Sequence, residues 1–222
     1  MIELKNVCKS FGKPPVKILH DISLCINQGE FVSLTGRSGS GKTTLLYCMS
    51  SLDHVTSGEV WIDGEMMQQK SEKALHAFRN REMGFVFQFH YLLPELTALE
   101  NVLMPAKKTN SEKQHKAFAM HLLEQFELAE HIHKRPGQLS GGQAQRVAIA
   151  RAMAMKPKYL FADEPTGSLD SNNARVIMNI FDQLNQEEGT TIICVTHDQE
   201  FAKSTARQLE LFDGQILQSE EN

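Results

Sequence analysis

Gly36-Arg37-Ser38-Gly39-Ser40-Gly41-Lys42-Thr43 decides how this chain is read. It follows Phe31-Val32-Ser33-Leu34-Thr35, which reads as a strand, and leads into Thr43 to Leu52, which reads as a helix. Glycines let a backbone wrap closely, so that successive N–H groups converge on anionic oxygens. The helix start behind them adds its partial positive charge. The stretch satisfies GxxxxGK[ST] at every fixed position. Lys42 is therefore expected to reach the β- and γ-phosphates of a nucleotide, and Thr43 to take Mg²⁺. Gly36, Arg37, Ser38, Gly39, Ser40, Gly41, Lys42, Thr43 and the adjoining Thr44 form the expected phosphate-binding segment.

Outward from this loop the chain alternates strands with helices. Before it, Ile2, Leu4 and Val7, then Ile18 through Ile26, alternate in the strand manner around a Gly12-Lys13-Pro14-Pro15 loop. Gly58 to Gly64 adds another short strand, so a small antiparallel sheet is expected near the N-terminus. Farther on, Lys158 to Asp163 and Thr190 to Thr196 read as strands. A helix from about Asn173 to Glu188 lies between them, with Gly189 at its C-terminal stop. Leu209 to Leu217 reads as a hairpin turning at Asp213-Gly214. These alternations predict an α/β fold with a parallel core sheet covered by helices on both faces.

Residues 89–156 differ in character and read as a helical insertion. Thr97-Ala98-Leu99-Glu100 and Ser111-Glu112-Lys113-Gln114 match the capping-box pattern. Phe118, Leu122 and Phe126 lie on one face of the helix expected after Ser111. Gln143 to Met155 reads as a further helix stopped by Pro157, and the whole chain, 1–222, reads as one domain.

Asp163 and Glu164 end an apolar strand, where ligand groups of open α/β sheets gather. Asp163 is placed to hold Mg²⁺, and Glu164 to orient and deprotonate an attacking water. His197 follows the strand Ile192 to Thr196 and is a candidate γ-phosphate contact. Gln88 ends Met83 to Phe87, and its amide could reach the metal or the water. Leu139-Ser140-Gly141-Gly142-Gln143 is itself a capping box, yet two glycines in a first helical turn weaken an ordinary cap. Removing both Cβ atoms would let the backbone approach a ligand, so this is a second expected phosphate-binding helix start. One γ-phosphate needs one cradle, and the simplest resolution is two chains sharing nucleotides head to tail.

Composition excludes other classes. The 222 residues are 41% hydrophobic and 23% charged, which rules out a disordered or fibrous chain. Net charge is -4, against the basic excess of a nucleic-acid binder. Cys8, Cys25, Cys48 and Cys194 form no CxxC pair, so neither zinc nor a disulfide framework is expected. Of His115, His121, His131 and His133, the pair His131-Ile132-His133 has no acidic or Cys partner at ligand spacing, and the four read as solvated helix and loop histidines rather than a metal site. Lys107-Lys108 is too short a run to mark anionic lipid. No apolar run reaches membrane-helix length and the start carries an acid at Glu3, so a soluble cytosolic chain is expected.

On these motifs the chain resembles the ATP-binding subunits of ABC transporters over nearly its whole length. Leu139 to Gln143 looks like the family signature, Gly36 to Thr43 the Walker A loop and Tyr159 to Asp163 the Walker B strand. Glu164 stands as the catalytic carboxylate, Gln88 as the Q-loop residue, Ser168-Leu169-Asp170 as the D-loop and His197 as the switch histidine. Phe11 stands where the family commonly places a base-stacking tyrosine. The resemblance implies an ATPase using ATP and Mg²⁺, with a mixed core sheet, an antiparallel β subdomain and a helical subdomain over about 89–156. It implies a homodimer in which Ser140, Gly141, Gly142, Gln143 and Asp170 face the nucleotide on the other chain's Lys42, and catalysis by Glu164, His197, Gln88 and Lys42. Thr43, Gln88 and Asp163 are the implied metal ligands. Within the family, Phe87 to Pro94 and Thr97 to Pro105 are most similar to the lipoprotein-releasing branch, with macrolide-efflux and cell-division ATPases as the alternative. That branch implies a peripheral subunit on the cytoplasmic face of the inner membrane, docked on transmembrane permease subunits. A soluble ABC ATPase of DNA repair or translation is disfavoured, because those carry paired cassettes or a coiled-coil insertion. A P-loop kinase or GTPase leaves Leu139 to Gln143 unexplained.

Overall fold

A computed structural model describes residues 1–221, with side chains through 217. Two sheets divide the strands. The first is antiparallel and joins β1 (Ile2–Phe11), β2 (Val16–Ile26), β4 (Ser57–Ile62) and β5 (Glu65–Met66) in the order β2-β1-β4-β5. The second contains β3 (Phe31–Thr35), β6 (Met83–Phe87), β7 (Tyr159–Asp163), β8 (Thr191–Val195), β9 (Arg207–Phe212) and β10 (Gln215–Glu221). Its order is β10-β9-β3-β8-β7-β6, parallel except for the β9-β10 hairpin. This is the mixed sheet the sequence leads one to expect.

Side-chain alternation builds the two cores. Tyr159 and Phe161 of β7 and Ile193 and Val195 of β8 face the antiparallel sheet, with α1 (Lys42–Met49) packed between. Leu160, Ala162, Ile192 and Cys194 face the opposite side. That side is covered by α5 (Glu112–Gln125), α6 (Gly141–Met153) and α7 (Ser171–Glu188), with help from α3 (Ala98–Val102). Strands buried on both faces read as continuous apolar runs, as these do. The remaining helices are α2 (Glu72–Glu82), α4 (Met104–Lys107) and α8 (Gln199–Ser204).

The parallel register places the functional ends together. Phe87 pairs with Asp163, and Asp163 with Val195, while Thr196 donates its N–H to Leu34 O at 3.2 Å. Strands β3, β6, β7 and β8 therefore release Gly36, Gln88, Glu164 and Thr196 along one edge.

Several expectations shift. The helix after the glycine loop ends at Met49, and the signature helix begins at Gly141 rather than Gln143. Thr97 forms its full capping box, but Ser111 does not. The Ser111 N–H closes the preceding turn on Ala106 O (3.0 Å), leaving Ser111 at φ -115° and ψ 17°, and its hydroxyl turns to Thr109 Oγ1 at 2.7 Å. That backbone is outside the extended region an N-cap needs. Helices α2 and α8 were not anticipated. Ser71 caps α2 without a Glu or Gln three residues on, and the helix buries little beyond Leu75 and Phe78.

Candidate active site

Backbone geometry explains the glycines of the first loop. Gly36 has φ 134°, and a Cβ there would lie 2.1 Å from Leu211 O. Gly41 is the N-cap of α1 at φ 102° and supplies no side-chain cap, so the first N–H groups of the helix have no side chain closing them. Lys42 is almost fully buried, and its Nζ donates to the carbonyls of Gly36 and Arg37, both at 2.9 Å. Burial lowers its pKa, opposed by the carboxylates of Glu164 and Asp163. The Ser40 hydroxyl is buried and makes no hydrogen bond among the described residues.

A cavity of about 390 Å³ opens over this loop. Ser38, Gly39, Gly41, Lys42, Thr43 and Thr44 form its floor, Phe11 and Ile18 one wall, and Glu164 and His197 the other. Phe11 is 46% exposed, with Lys9 Nζ 4.7 Å from its ring centroid. Lys9 is itself fixed by Asp53 Oδ1 at 2.6 Å and His54 O at 2.5 Å. The ring thus stands at the cavity mouth, where a flat apolar face suits a base.

Thr43 and Asp163 meet as expected, Thr43 Oγ1 donating to Asp163 Oδ1 at 3.0 Å. Burial pushes the Asp163 carboxyl up, and hydrogen bonds from Thr43 and Tyr47 counter it. Two adjacent hard oxygen donors beside a phosphate cradle fit Mg²⁺, which takes few protein ligands and completes its shell with water and phosphate. Glu164 follows in the left-handed region at φ 50°, a conformation costly for a side-chain-bearing residue. Its N–H is held by Val195 O at 3.0 Å, and its Oε1 lies 2.5 Å from His197 Nε2. Glu164 also lines a second cavity of about 250 Å³ with Gln88, Thr43, Tyr47 and Asp163. Gln88 rests on Gly167, where an added Cβ would sit 3.1 Å from the amide nitrogen.

The Ser140 segment lies elsewhere. Ser140 caps α6, its Oγ accepting from Gln143 N–H at 3.2 Å while Gln143 Oε1 accepts from Ser140 N–H at 2.9 Å. None of Ser140, Gly141, Gly142 and Gln143 lines either cavity. Packing within the chain distinguishes the two glycines. A Cβ on Gly142 would stand 2.1 Å from Asn173 Oδ1, so that glycine admits α7, whereas Gly141 has only Leu169 at 3.9 Å. Asp170 caps α7, accepting from Asn173 N–H at 2.9 Å and Asn173 Nδ2 at 2.7 Å.

Three further residues escaped the sequence reading. Tyr47 hydrogen-bonds Asp163, and burial, then that carboxylate, pushes its phenol up to about 12. Its place four residues after Thr43, on the same helix face, was the available signal. Gln145 is fully buried and donates to Phe87 O (3.2 Å) and Pro165 O (2.8 Å), with its Oε1 2.5 Å from His90 Nδ1. Arg151 donates to His90 O at 2.7 Å and Tyr91 O at 2.6 Å. Together they strap α6 to the segments after β6 and β7, and nothing in their local sequence announces it.

The family model described as ABC transporter matches residues 19–167. A lipoprotein-releasing system ATP-binding protein LolD of Leptospira interrogans is 53% identical, covering 99% of this chain and 92% of its own. The LolD of Aquifex aeolicus is 51% identical over 90% of each chain. Among solved structures, the dimeric MJ0796 bacterial ABC transporter cassette superposes with a TM-score of 0.90 at 41% identity, covering 100% of this chain and 98% of that one. The same cassette as a post-hydrolysis dimer bound to ADP and Pi gives 0.89 at 39% identity, with the same coverage. With its phosphate loop, strand-end carboxylates and signature helix in this arrangement, the chain belongs to the ABC transporter family as an ATP-hydrolysing cassette.

Proposed function

We propose that this cassette powers lipoprotein release from the inner membrane toward the outer membrane, working as a head-to-tail dimer beneath transmembrane permease subunits of the LolC and LolE kind. The observation that carries the substrate class is 53% identity over 99% of the chain to a lipoprotein-releasing ATPase. The dimer is supported by geometry: the cavity over Lys42 is walled by Phe11, Glu164 and His197 and receives no residue of the Ser140 helix start. The cassette then acts as one unit, peripheral on the cytoplasmic face, with the helices of about 89–156 as the arm toward the membrane.

In this reading Phe11 stacks on adenine. The N–H groups of Gly36 to Thr44 and the Lys42 ammonium hold the phosphates. Thr43, Asp163 and Gln88 would hold Mg²⁺, whose chemistry there would be neutralisation of phosphate charge. Glu164 takes a proton from the attacking water, and His197, 2.5 Å from it, orients that carboxylate toward the γ-phosphate. Ser140, Gly141, Gly142, Gln143 and Asp170 of the second chain close the site. Binding brings the chains together, and hydrolysis lets them part, moving the docked permease.

The test is reconstitution with the permease subunits in vesicles carrying a fluorescent lipoprotein and an acceptor. ATP-dependent transfer of lipoprotein is expected. Transfer indifferent to ATP, or ATPase stimulation by a macrolide and not by lipoprotein, overturns the substrate assignment.

A further inference from the structure

His131 closes the short helical turn Ala129–His131 after α5, and its ring reaches the first turn of α6. There Gln143 is already committed: its Oε1 accepts the Ser140 N–H at 2.9 Å. Its amide nitrogen therefore points the other way, to His131 Nε2 at 2.7 Å. An amide nitrogen only donates, so Nε2 must carry the lone pair and the ring proton must sit on Nδ1. Nδ1 is buried with no hydrogen-bond partner among the described residues. The ring thus forgoes a bond at one nitrogen while the other completes the amide of the signature, an arrangement a merely space-filling residue would not need.

The backbone bearing the ring is tied down. His131 N–H donates to Leu128 O at 2.8 Å and Lys134 N–H to His131 O at 2.9 Å. Just beyond, Ile132 O accepts from Leu99 and Lys134 O from Ala98, at 3.1 and 2.8 Å, which joins the segment to the first turn of α3. The Gln143 side chain thus bridges His131 and the Ser140 backbone through its two amide ends, while Ser140 Oγ accepts from the Gln143 backbone N–H at 3.2 Å, so a fixed Gln143 rotamer fixes the Ser140 end of the cap.

We propose that His131, as the neutral Nδ1-protonated imidazole, is a positioning residue that fixes Gln143 and through it presents Ser140 to the nucleotide on a second copy of the chain. This rests on the head-to-tail reading above.

The experiment uses the full chain carrying Glu164→Gln, so that ATP-driven dimers accumulate. His131→Phe is expected to bind a fluorescent ATP analogue within about twofold of the parent while its dimerisation weakens about tenfold. His131→Gln, whose side-chain oxygen can accept from the same amide, restores dimerisation. Dimerisation of His131→Phe equal to the parent, or no rescue by His131→Gln, overturns the proposal. Ser140→Ala in the same background separates the two layers. If it too dimerises normally, the head-to-tail reading fails. If it weakens the dimer and His131→Phe does not, only the positioning role fails. Should His131→Phe not fold, the ring nitrogens of the unsubstituted chain decide by nitrogen-15 NMR: a proton on Nδ1 is expected, and one on Nε2 overturns the assignment.

Discussion

The helix starts at Gly41 and at Ser140 are both glycine-rich and both read in sequence as anion sites, yet they are built oppositely. Gly41 caps α1 with a left-handed backbone and no side chain, leaving its N–H groups for a ligand. Ser140 and Gln143 close their own helix with a full capping box, and Gly142 is occupied by Asn173. In the proposed function the first start is a receptor that phosphate completes. The second is already satisfied, and in the proposed function its open side at Gly141 faces a nucleotide brought by another chain. An interior anion needs the former; a lid on another molecule's anion needs the latter.

Removing the chemistry at the first start while leaving its grip should give the largest effect. Glu164→Gln keeps Lys42 and the loop but loses the carboxylate 2.5 Å from His197. Phosphate release is expected to fall by about 10²–10⁴-fold, with ATP still bound and dimers accumulating in gel filtration. Near-normal turnover would show that the left-handed residue after β7 is not the base. At the second start, Ser140→Asp keeps an N-cap oxygen and so costs little stability, but sets a negative charge toward the partner's phosphates. Mixed dimers of Ser140→Asp with Lys42→Ala chains should retain one nucleotide site made from two intact halves or none, depending on which halves face each other. In a head-to-tail dimer the two lesions fall on the same site and the other survives, giving about half of parental activity per dimer. Complete loss in such mixtures would break the contrast between receptor and lid.

Smaller effects separate the two glycines of the signature. Gly142→Ala pushes a methyl to within 2.1 Å of Asn173 Oδ1 and should cost about 1–3 kcal/mol in urea unfolding. Asn173→Ala, by removing the colliding amide, should recover part of that loss. Gly141→Ala meets only Leu169 at 3.9 Å, so stability should hold while ATP-driven dimerisation weakens. Equal stability losses at both positions would mean that neither is kept open for a ligand.

The same contrast marks how far the sequence could be read. Gly36 to Thr43 was legible because its fixed glycines answer local demands: positive φ at Gly36 and Gly41, close approach at Gly36 and an uncapped helix start at Gly41. The strand ends carrying Gln88, Asp163 and His197 were legible because parallel strands release their C-termini on one edge. The packing role of Gly142 was not legible because its reason lies in α7, about 30 residues downstream, and spacing carries no trace of it. Gln145 is hidden for the same reason: its partners Phe87, His90 and Pro165 belong to other elements. Ser111 failed in the other direction, a correct local pattern overridden when its backbone was drawn into closing the turn on Ala106. Short, strongly polar helices such as α2, which buries only Leu75 and Phe78, offer too few apolar residues to announce themselves.

The finest test compares Ser140 with a third helix start, the charged cap at Asp170. Asn173 donates both its backbone N–H and its side-chain amide to the Asp170 carboxylate, which holds that carboxyl below the usual range. A group whose folded pKa is depressed adds stability in full above its unfolded value, about 3.9, and loses it as pH falls through the folded value. Ser140 carries no charge, so its cap should be indifferent to the same acid. Asp170→Asn keeps a cap oxygen without the titration. Urea midpoints for the parent and Asp170→Asn should therefore differ at neutral pH and converge in acid, whereas the gap between the parent and Ser140→Ala should stay constant. The oxygen of Asn173 that faces Gly142 belongs to the amide that Asp170 holds. Protonating Asp170 frees that amide to move, so the penalty of Gly142→Ala should shrink over the same acid range. A penalty unchanged by pH would separate the two helix starts that this contact now joins.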